Sequence, residues 1–182
     1  NTVYPGYKNY KQLQFGWENG DQWTPAECDV SIRPGWFYHE TEDNKVKTVD
    51  QLCDLYYRSV GHNATFLLNF PVNKDGLIHP IDSANAVNFH KKIQQELSNN
   101  VLKGITPKTD SQQGKNIGKN MTDGKYDTFW ASKTVKGASI EFRLSKTQEI
   151  SRLMLQEYIP LGQRVKAFTV YYLQDKNWVK LN

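Results

Sequence analysis

The chain has 182 residues, enough for one domain or about one and a half. Hydrophobic residues make up only 38%, but 5 Trp, 10 Tyr and 8 Phe provide large side chains for a core, which excludes an intrinsically disordered chain. The net charge of +4 is mild and no basic run occurs, so nucleic acid is not an expected partner. No apolar stretch approaches the roughly 20 residues of a membrane span.

The two cysteines, Cys28 and Cys53, do not form a CxxC pair, and no Cys/His cluster has zinc spacing. We therefore expect no metal site and no cofactor. Buried free thiols are the expected state, and a Cys28–Cys53 disulfide stays open as an alternative. The chain begins without Met and ends in a strand-like segment, residues 177–182, so we interpret it as a piece of a longer protein.

Residues 1–47 are rich in aromatic residues, Gly and Pro and lack a sustained helical period. They predict long loops around one or two short strands. Residues 48–60 then predict a helix, because Thr48 and Gln51 form a capping-box pattern at its start. The apolar face of this helix is Val49, Leu52, Cys53 and Tyr56.

The apolar run at residues 64–70 predicts a parallel strand buried on both faces. Asn69 is its polar exception near the carboxyl end, and we expect it to cap the turn that follows. Residues 82–98 predict a second helix, capped by Asp82 or Ser83. The order of helix, strand and helix indicates an α/β fold with a parallel sheet or barrel.

Residues 99–115 are polar and punctuated by Gly, Pro and Ser, which indicates a domain boundary near residues 100–115. The apolar period then changes to two, clearly over residues 138–144 and more weakly over residues 165–172. Strands separated by turns predict an antiparallel β-sandwich in this part of the chain.

The most informative stretch is residues 22–39, which holds two carboxylates, an Arg, two Trp, a Tyr and a His. Aromatic faces with a few directed polar groups are typical of a sugar-binding pocket. A carboxyl group beside apolar neighbours can keep its proton near neutral pH and donate it to a glycosidic oxygen. The alternative interpretation is a structural loop with an aromatic plug.

The run W-x-P-A-E-C-D-V-S-I-R-P-G-W-F-Y-H at residues 23–39 resembles the signature of glycoside hydrolase family twenty-nine, the α-L-fucosidases. It is most similar to the branch that acts on α-1,3/1,4-linked fucose. Further matching segments are residues 42–47, 52–61, 66–69 and 75–79. Residues 117–131 resemble the opening of a discoidin-like sandwich.

The resemblance implies an α/β TIM barrel, of which residues 1–104 are the C-terminal portion only. A partial all-β discoidin-like β-sandwich follows in residues 105–182. It also implies a retaining exo-glycosidase that removes terminal α-L-fucose by double displacement, with a fucosylated oligosaccharide or glycoconjugate as its partner. The implied location is periplasmic or secreted.

By motif position, Glu27 is the implied catalytic acid/base, and Trp23 and Trp36 are the implied sugar-facing aromatic residues. Arg33 is implied as a substrate-binding residue, either a donor to a sugar hydroxyl or a partner of a carboxylate. Asp29 is expected to point away from Glu27 and to be structural.

The family's nucleophilic Asp and the histidines that grip fucose are expected upstream of Asn1, so we expect this chain alone to be inactive. Two other functions stay open. One is a non-catalytic carbohydrate-binding protein that uses the sandwich and an inert barrel remnant. The other is hydrolysis of a different sugar, because a barrel does not fix the substrate.

Overall fold

The computed structural model describes residues 16–17 and 19–181, and the predicted loops of residues 1–15 lie outside it. The chain divides into two compact units, Asn1–Asn100 and Val101–Asn182. Each unit has its own set of strands and helices. No helix among the described residues combines the length and the apolar character that crossing a bilayer requires.

The first unit alternates strands and helices. Its elements are β1 (Ala26–Ser31), α1 (Val49–Ser59), β2 (Ala64–Asn69) and α2 (Pro80–Glu96), with 3-10 helices at Glu40–Lys45 and Val60–His62. The predicted order of helix, strand and helix is confirmed. So is the capping box of α1, because the Thr48 side chain accepts from the Gln51 backbone while the Gln51 side chain accepts from the Thr48 backbone.

β1 and β2 are parallel neighbours, paired in register from Ala26 opposite Ala64 to Ser31 opposite Asn69. The parallel strand is thus confirmed, but its burial on both faces is not, because Leu67 is 49% exposed. The helices cover one face only. Partly buried on that face are Cys28, Val30, Phe66 and Leu68.

The uncovered face of β1 carries Glu27 and Asp29, both exposed. In a strand, residues two apart point to the same side. The expectation that Asp29 points away from Glu27 is therefore wrong, because both lie within an extended strand.

The core of the first unit consists of Ile32, Val46 and Leu52, packed against Leu68, Phe70 and Phe89. Phe89 of α2 also meets Phe66 of β2 edge-on, with ring centroids 6.3 Å apart. Cys53 is buried, as expected, whereas Cys28 is half-buried, and the two are not joined in a disulfide.

α2 begins two residues earlier than predicted. His79 is its N-cap, where Nδ1 accepts from the backbone N–H of Ile81 at 3.4 Å, and Pro80 occupies the first turn, where its fixed φ suits a helix start. The prediction that Asp82 or Ser83 caps this helix is therefore wrong. The buried Asp82 carboxylate instead binds the guanidinium group of Arg33.

The second unit contains two short antiparallel pairs. β3 (Lys108–Thr109) pairs with β4 (Ile140–Glu141), and β5 (Tyr171–Gln174) pairs with β6 (Asn177–Lys180). Two 3-10 helices accompany them, at Gly118–Met121 and Ile159–Leu161. The alternating stretches 138–144 and 165–172 predicted longer strands, but most of their residues have no paired strand within residues 101–181.

A polar turn organises the first part of the second unit. Asp123 accepts from the backbone N–H of Lys125 at 2.9 Å and from the Thr128 hydroxyl at 2.8 Å. The Lys125 backbone hydrogen bond, followed by the Thr128 hydroxyl, lowers the pKa of Asp123 below its ordinary value. Nearby, the Trp130 indole N–H donates to the carbonyl of Ser111 at 3.0 Å.

The Asp123 turn predicts an acid-sensitive contribution to stability. A lowered folded-state pKa contributes stability above the ordinary pKa of Asp, and this contribution is lost as the pH falls through the folded-state value. Thr128→Val should raise the pKa of Asp123 in an NMR titration. The matched variant Ser132→Ala, which removes a hydroxyl that donates to the Thr134 carbonyl, should leave it unchanged. An unaltered Asp123 pKa in Thr128→Val would contradict the assignment.

Candidate functional site

The β1–α1 loop, residues 32–48, leaves the carboxyl end of β1 and closes on itself. The backbone N–H of Lys47 donates to the carbonyl of Ile32 at 2.8 Å. The Lys47 ammonium group donates to the carbonyl of Ser31 at 2.6 Å. A loop with its ends this close, packed around its own side chains, is an Ω-type loop, a class that often carries function.

Arg33 fills the interior of the β1–α1 loop and is fully buried. Its Nε and Nη2 atoms donate to the two carboxylate oxygens of Asp82 at 2.8 and 2.9 Å. Its Nη1 atom donates to Asp43 Oδ1 at 2.8 Å and to the carbonyl of His39 at 3.3 Å. The guanidinium group thus joins three parts of the first unit: the start of the loop, its 3-10 helix and the first turn of α2.

The Arg33–Asp82 pair has the two parallel, charge-assisted hydrogen bonds that make arginine–carboxylate contacts strong and directional. Hydrogen bonding to Asp82 raises the pKa of Arg33, while burial acts in the opposite direction and Asp43 adds to the increase. The Tyr38 ring lies over the guanidinium group, 4.5 Å from its central carbon, in a cation–π contact. Arg33 is therefore a fixed cation, and each of its three guanidinium nitrogens donates to a group of its own chain.

Asp43 connects this cluster to His79. Its Oδ2 atom lies 3.5 Å from Nε2 of His79, while Oδ1 binds Arg33. The Nδ1 atom of the same ring accepts from the backbone N–H of Ile81 as the helix cap. The end of the β1–α1 loop and the start of α2 are therefore held by one continuous polar cluster.

Asn69, the last residue of β2, contacts the tip of the β1–α1 loop. Its Nδ2 atom donates to the backbone carbonyl of Trp36 at 3.1 Å and to the Ser31 hydroxyl at 3.2 Å. The expectation that Asn69 caps the following turn is wrong. That role belongs to Asn73, whose side chain accepts from the backbone N–H groups of Asp75 and Leu77, both at 2.9 Å.

The tip of the β1–α1 loop presents two aromatic side chains. Trp36 is 50% exposed and Phe37 is 79% exposed. Trp36 lies at the carboxyl end of the parallel strands, because its carbonyl is bound to the last residue of β2. In parallel α/β folds, ligands bind at this end of the sheet.

Glu27 lies elsewhere on the sheet. It is the second residue of β1, four residues before Ser31, or about 13 Å along the strand. Within the described part of the chain, no hydrogen bond, ion pair or ring contact joins Glu27 to Trp23, Arg33 or Trp36. The exposed Trp23 precedes β1.

The structure therefore brings together only two of the four residues predicted for the site, Arg33 and Trp36, which share the β1–α1 loop. Of the two roles predicted for Arg33, the partner of a carboxylate is the one observed, and its contact with substrate stays a prediction. The catalytic role of Glu27 and the sugar contact of Trp23 also stay predictions. No group of three or more His, Cys, Asp or Glu among the described residues could hold a metal ion.

Three residues that position the site were not predicted as part of it: Asp43, Asp82 and Asn69. Asn69 gave a signal, as a polar residue at the carboxyl end of an apolar strand. Asp82 gave a misleading signal, because an acidic residue near a helix start is typical of a cap. No sequence pattern points to Asp43, because only folding brings it to Arg33.

The buried pair predicts a large loss of stability when one partner is neutralised. Asp82→Asn should lower the free energy of unfolding by about 3 kcal/mol or more, because it leaves a buried cation poorly compensated. Urea unfolding of the whole protein measures this. Asp54→Asn, in the exposed Arg58–Asp54 pair, is the matched control and should cost less than about 0.5 kcal/mol. Equal losses in the two variants would contradict the role of Asp82.

Comparison with known proteins adds independent evidence. The F5/8 type C domain model matches residues 105–182. Alpha-L-fucosidase 1 of Arabidopsis thaliana is 36% identical over 154 residues, which cover 82% of this chain and 30% of the relative. The fold of a candidate α-L-fucosidase from Bacteroides thetaiotaomicron matches with a TM-score of 0.87 and 44% identity, covering 94% of this chain and 38% of that one.

A second solved structure, a Ruminococcus gnavus family 29 fucosidase in complex with fucose, matches with a TM-score of 0.79 and 32% identity, over 92% of this chain and 34% of that one. The present chain spans about a third of the length of these relatives. These similarities extend over both units. The chain belongs to the α-L-fucosidases of glycoside hydrolase family 29.

Proposed function

We propose that this chain is part of a glycosidase that removes terminal α-L-fucose from glycans by a retaining double displacement. One observation carries the proposal. In a chain of this family, the β1–α1 loop is fixed by the ion pairs of the buried Arg33 and presents Trp36 at the carboxyl end of two parallel strands. The related R. gnavus fucosidase was solved in complex with fucose, which supports a sugar as the ligand.

The β/α elements of the first unit support its assignment to the C-terminal portion of a TIM barrel. Parallel neighbouring strands joined through a helix are the repeating unit of that fold. The helices cover one face of the sheet, and the other face, which carries Glu27, Asp29 and Leu67, is the one that would line a barrel interior. We propose residues 1–104 as this portion and residues 105–182 as part of the discoidin-like sandwich.

Trp36 is proposed as a sugar-facing residue. The C–H face of a pyranose packs on an indole ring, and fucose offers such a face. A ring on a loop that is already ordered loses little conformational entropy when the sugar binds. The buried Arg33 cluster supplies this order, so we propose that Arg33 acts on the substrate through the loop.

The sequence motif and the position of Glu27 in β1 favour different roles for this residue. The motif favours the role of catalytic acid/base. However, a general acid must come within hydrogen-bond reach of the glycosidic oxygen, and Glu27 lies about 13 Å along β1 from the carboxyl end. If the sugar binds beside Trp36, the positional argument favours a structural role for Glu27 inside the barrel. Both catalytic carboxyl groups would then come from residues outside this sequence.

The alternative function, non-catalytic sugar binding by the second unit, is favoured by its match to the F5/8 type C domain and by exposed aromatic residues such as Tyr126. A periplasmic or secreted location would suit either function, because both act on glycans. Enzyme assays with variants of the two units separate them.

Trp36→Ala in the whole protein tests the proposed function. It should raise KM for fucosides about tenfold or more, as expected for a lost stacking contact. Tyr126→Ala in the second unit is the matched control and should leave KM unchanged. The wild type should also cleave α-1,3/1,4-linked Lewis-type trisaccharides faster than α-1,2-linked ones. A wild-type protein that binds fucosylated glycans without cleaving any of them would contradict the proposal.

Glu27→Gln separates the two roles of Glu27. From its position we expect kcat/KM on natural fucosides to stay within about fivefold of the wild type. Asp29→Asn, on the same face of β1, is the matched control and should behave alike. A loss of about a hundredfold or more in Glu27→Gln alone, smaller for aryl fucosides with good leaving groups, would instead establish Glu27 as the acid/base.

A further inference from the structure

The side chain of Asn69 connects the end of β2 to the tip of the β1–α1 loop. We propose that Asn69 is a positioning residue that sets the orientation of Trp36 for the sugar. This inference rests on the proposed function, because it gives Trp36 a substrate to contact. Asn69 would then affect sugar binding as well as support the end of β2.

The chemistry of the contact fixes the orientation of the Asn69 amide. A backbone carbonyl can only accept a hydrogen bond, so the NH₂ group must face Trp36. The same NH₂ group donates to the Ser31 hydroxyl. Both amide hydrogens are therefore used, one on the neighbouring strand and one on the loop tip, and the planar amide acts as a rigid bridge between them.

The backbone of Asn69 is held as firmly as its side chain. Its carbonyl accepts from the backbone N–H of Ile32 at 3.0 Å, which continues the pairing of β1 with β2 by one residue. Ile32 is fully buried in the core. Asn69 thus links the paired strands to the exposed tip of the loop.

The loop tip has few other constraints. Lys47 closes the base of the loop and Arg33 fills its interior, but Trp36 lies beyond both. Among the described residues, the bond from Asn69 is the one hydrogen bond that ties residues 34–37 to a strand. Without it, the half-exposed indole would sample more orientations, and sugar binding would bear the cost of ordering it.

The test uses Asn69→Asp and Asn69→Ala in the whole protein, with Asn85→Asp as the matched control. Asn85 Nδ2 also donates to a carbonyl of the β1–α1 loop, that of Lys47 at 2.9 Å, but at the base of the loop. The measurements are kcat and KM for an aryl α-L-fucoside, the inhibition constant of L-fucose and the melting temperature. Both Asn69 variants should raise KM and the L-fucose inhibition constant about fivefold to tenfold, with kcat within about twofold.

Asn85→Asp should lower the melting temperature at least as much as the Asn69 variants while leaving KM and the inhibition constant unchanged. If Trp36→Ala impairs L-fucose binding and both Asn69 variants bind it like the wild type, the inference is overturned and the proposed function stands. If Asn85→Asp raises KM as much as Asn69→Asp, the cause is a general loosening of the loop, and the inference about Asn69 is again overturned. A wild type that cleaves no fucoside would contradict the proposed function and, with it, the inference about Asn69. A Trp36→Ala variant that binds L-fucose normally would contradict the proposed sugar contact of Trp36, on which the inference depends.

Discussion

The buried ion pair between Arg33 and Asp82 is the contact on which the geometry of the first unit depends. Arg33 follows β1 and Asp82 lies in the first turn of α2, so the pair joins the segments that leave two neighbouring strands. Removing two charges from water is costly, and the cost is offset only when geometry is good and every donor is used. Here all three guanidinium nitrogens donate, through two parallel bonds to Asp82 and single bonds to Asp43 and His39, and the Tyr38 ring covers the group.

This constraint explains why a long loop can hold an ordered aromatic tip. A loop of this length, with only a short 3-10 helix of its own, loses much conformational entropy on folding. The cation at its centre, the Lys47 closure at its base and the Asn69 contact near its tip each fix a different part. Among its exposed side chains are two aromatic ones, Trp36 and Phe37, at the end of the strands where parallel α/β folds bind ligands. Preorganisation of this kind favours binding, because a loop that is already ordered loses little conformational entropy when a ligand arrives.

The sequence predicted those features that depend on local pattern. The capping box at Thr48, the apolar run at residues 64–70 and the helix that ends near Glu96 are local signals, and they were found with small errors in their ends. The family signature at residues 23–39 located the β1–α1 loop. It did not reveal what the loop contains, because the partners of Arg33 lie 10 and 49 residues away.

The errors have specific physical causes. The position of Asp82 in the sequence suits a helix cap, but His79 and Pro80 start the helix earlier, and the Asp82 carboxylate binds Arg33 instead. Side chains two residues apart in a strand share a face, so Glu27 and Asp29 lie on the same side of β1, contrary to the expectation. In the second unit, alternation at residues 138–144 indicated a strand, but a strand also needs a partner, and pairing between distant segments is not encoded locally.

The central claim is that the sugar site lies at the carboxyl end of β1 and β2, against the β1–α1 loop. The most direct test is a crystal structure of the whole protein with L-fucose. We expect the sugar ring to lie within contact distance of the Trp36 indole, with the Asn69–Trp36 and Arg33–Asp82 hydrogen bonds intact. A fucose bound instead at the amino end of β1, beside Glu27 and remote from Trp36, would contradict it.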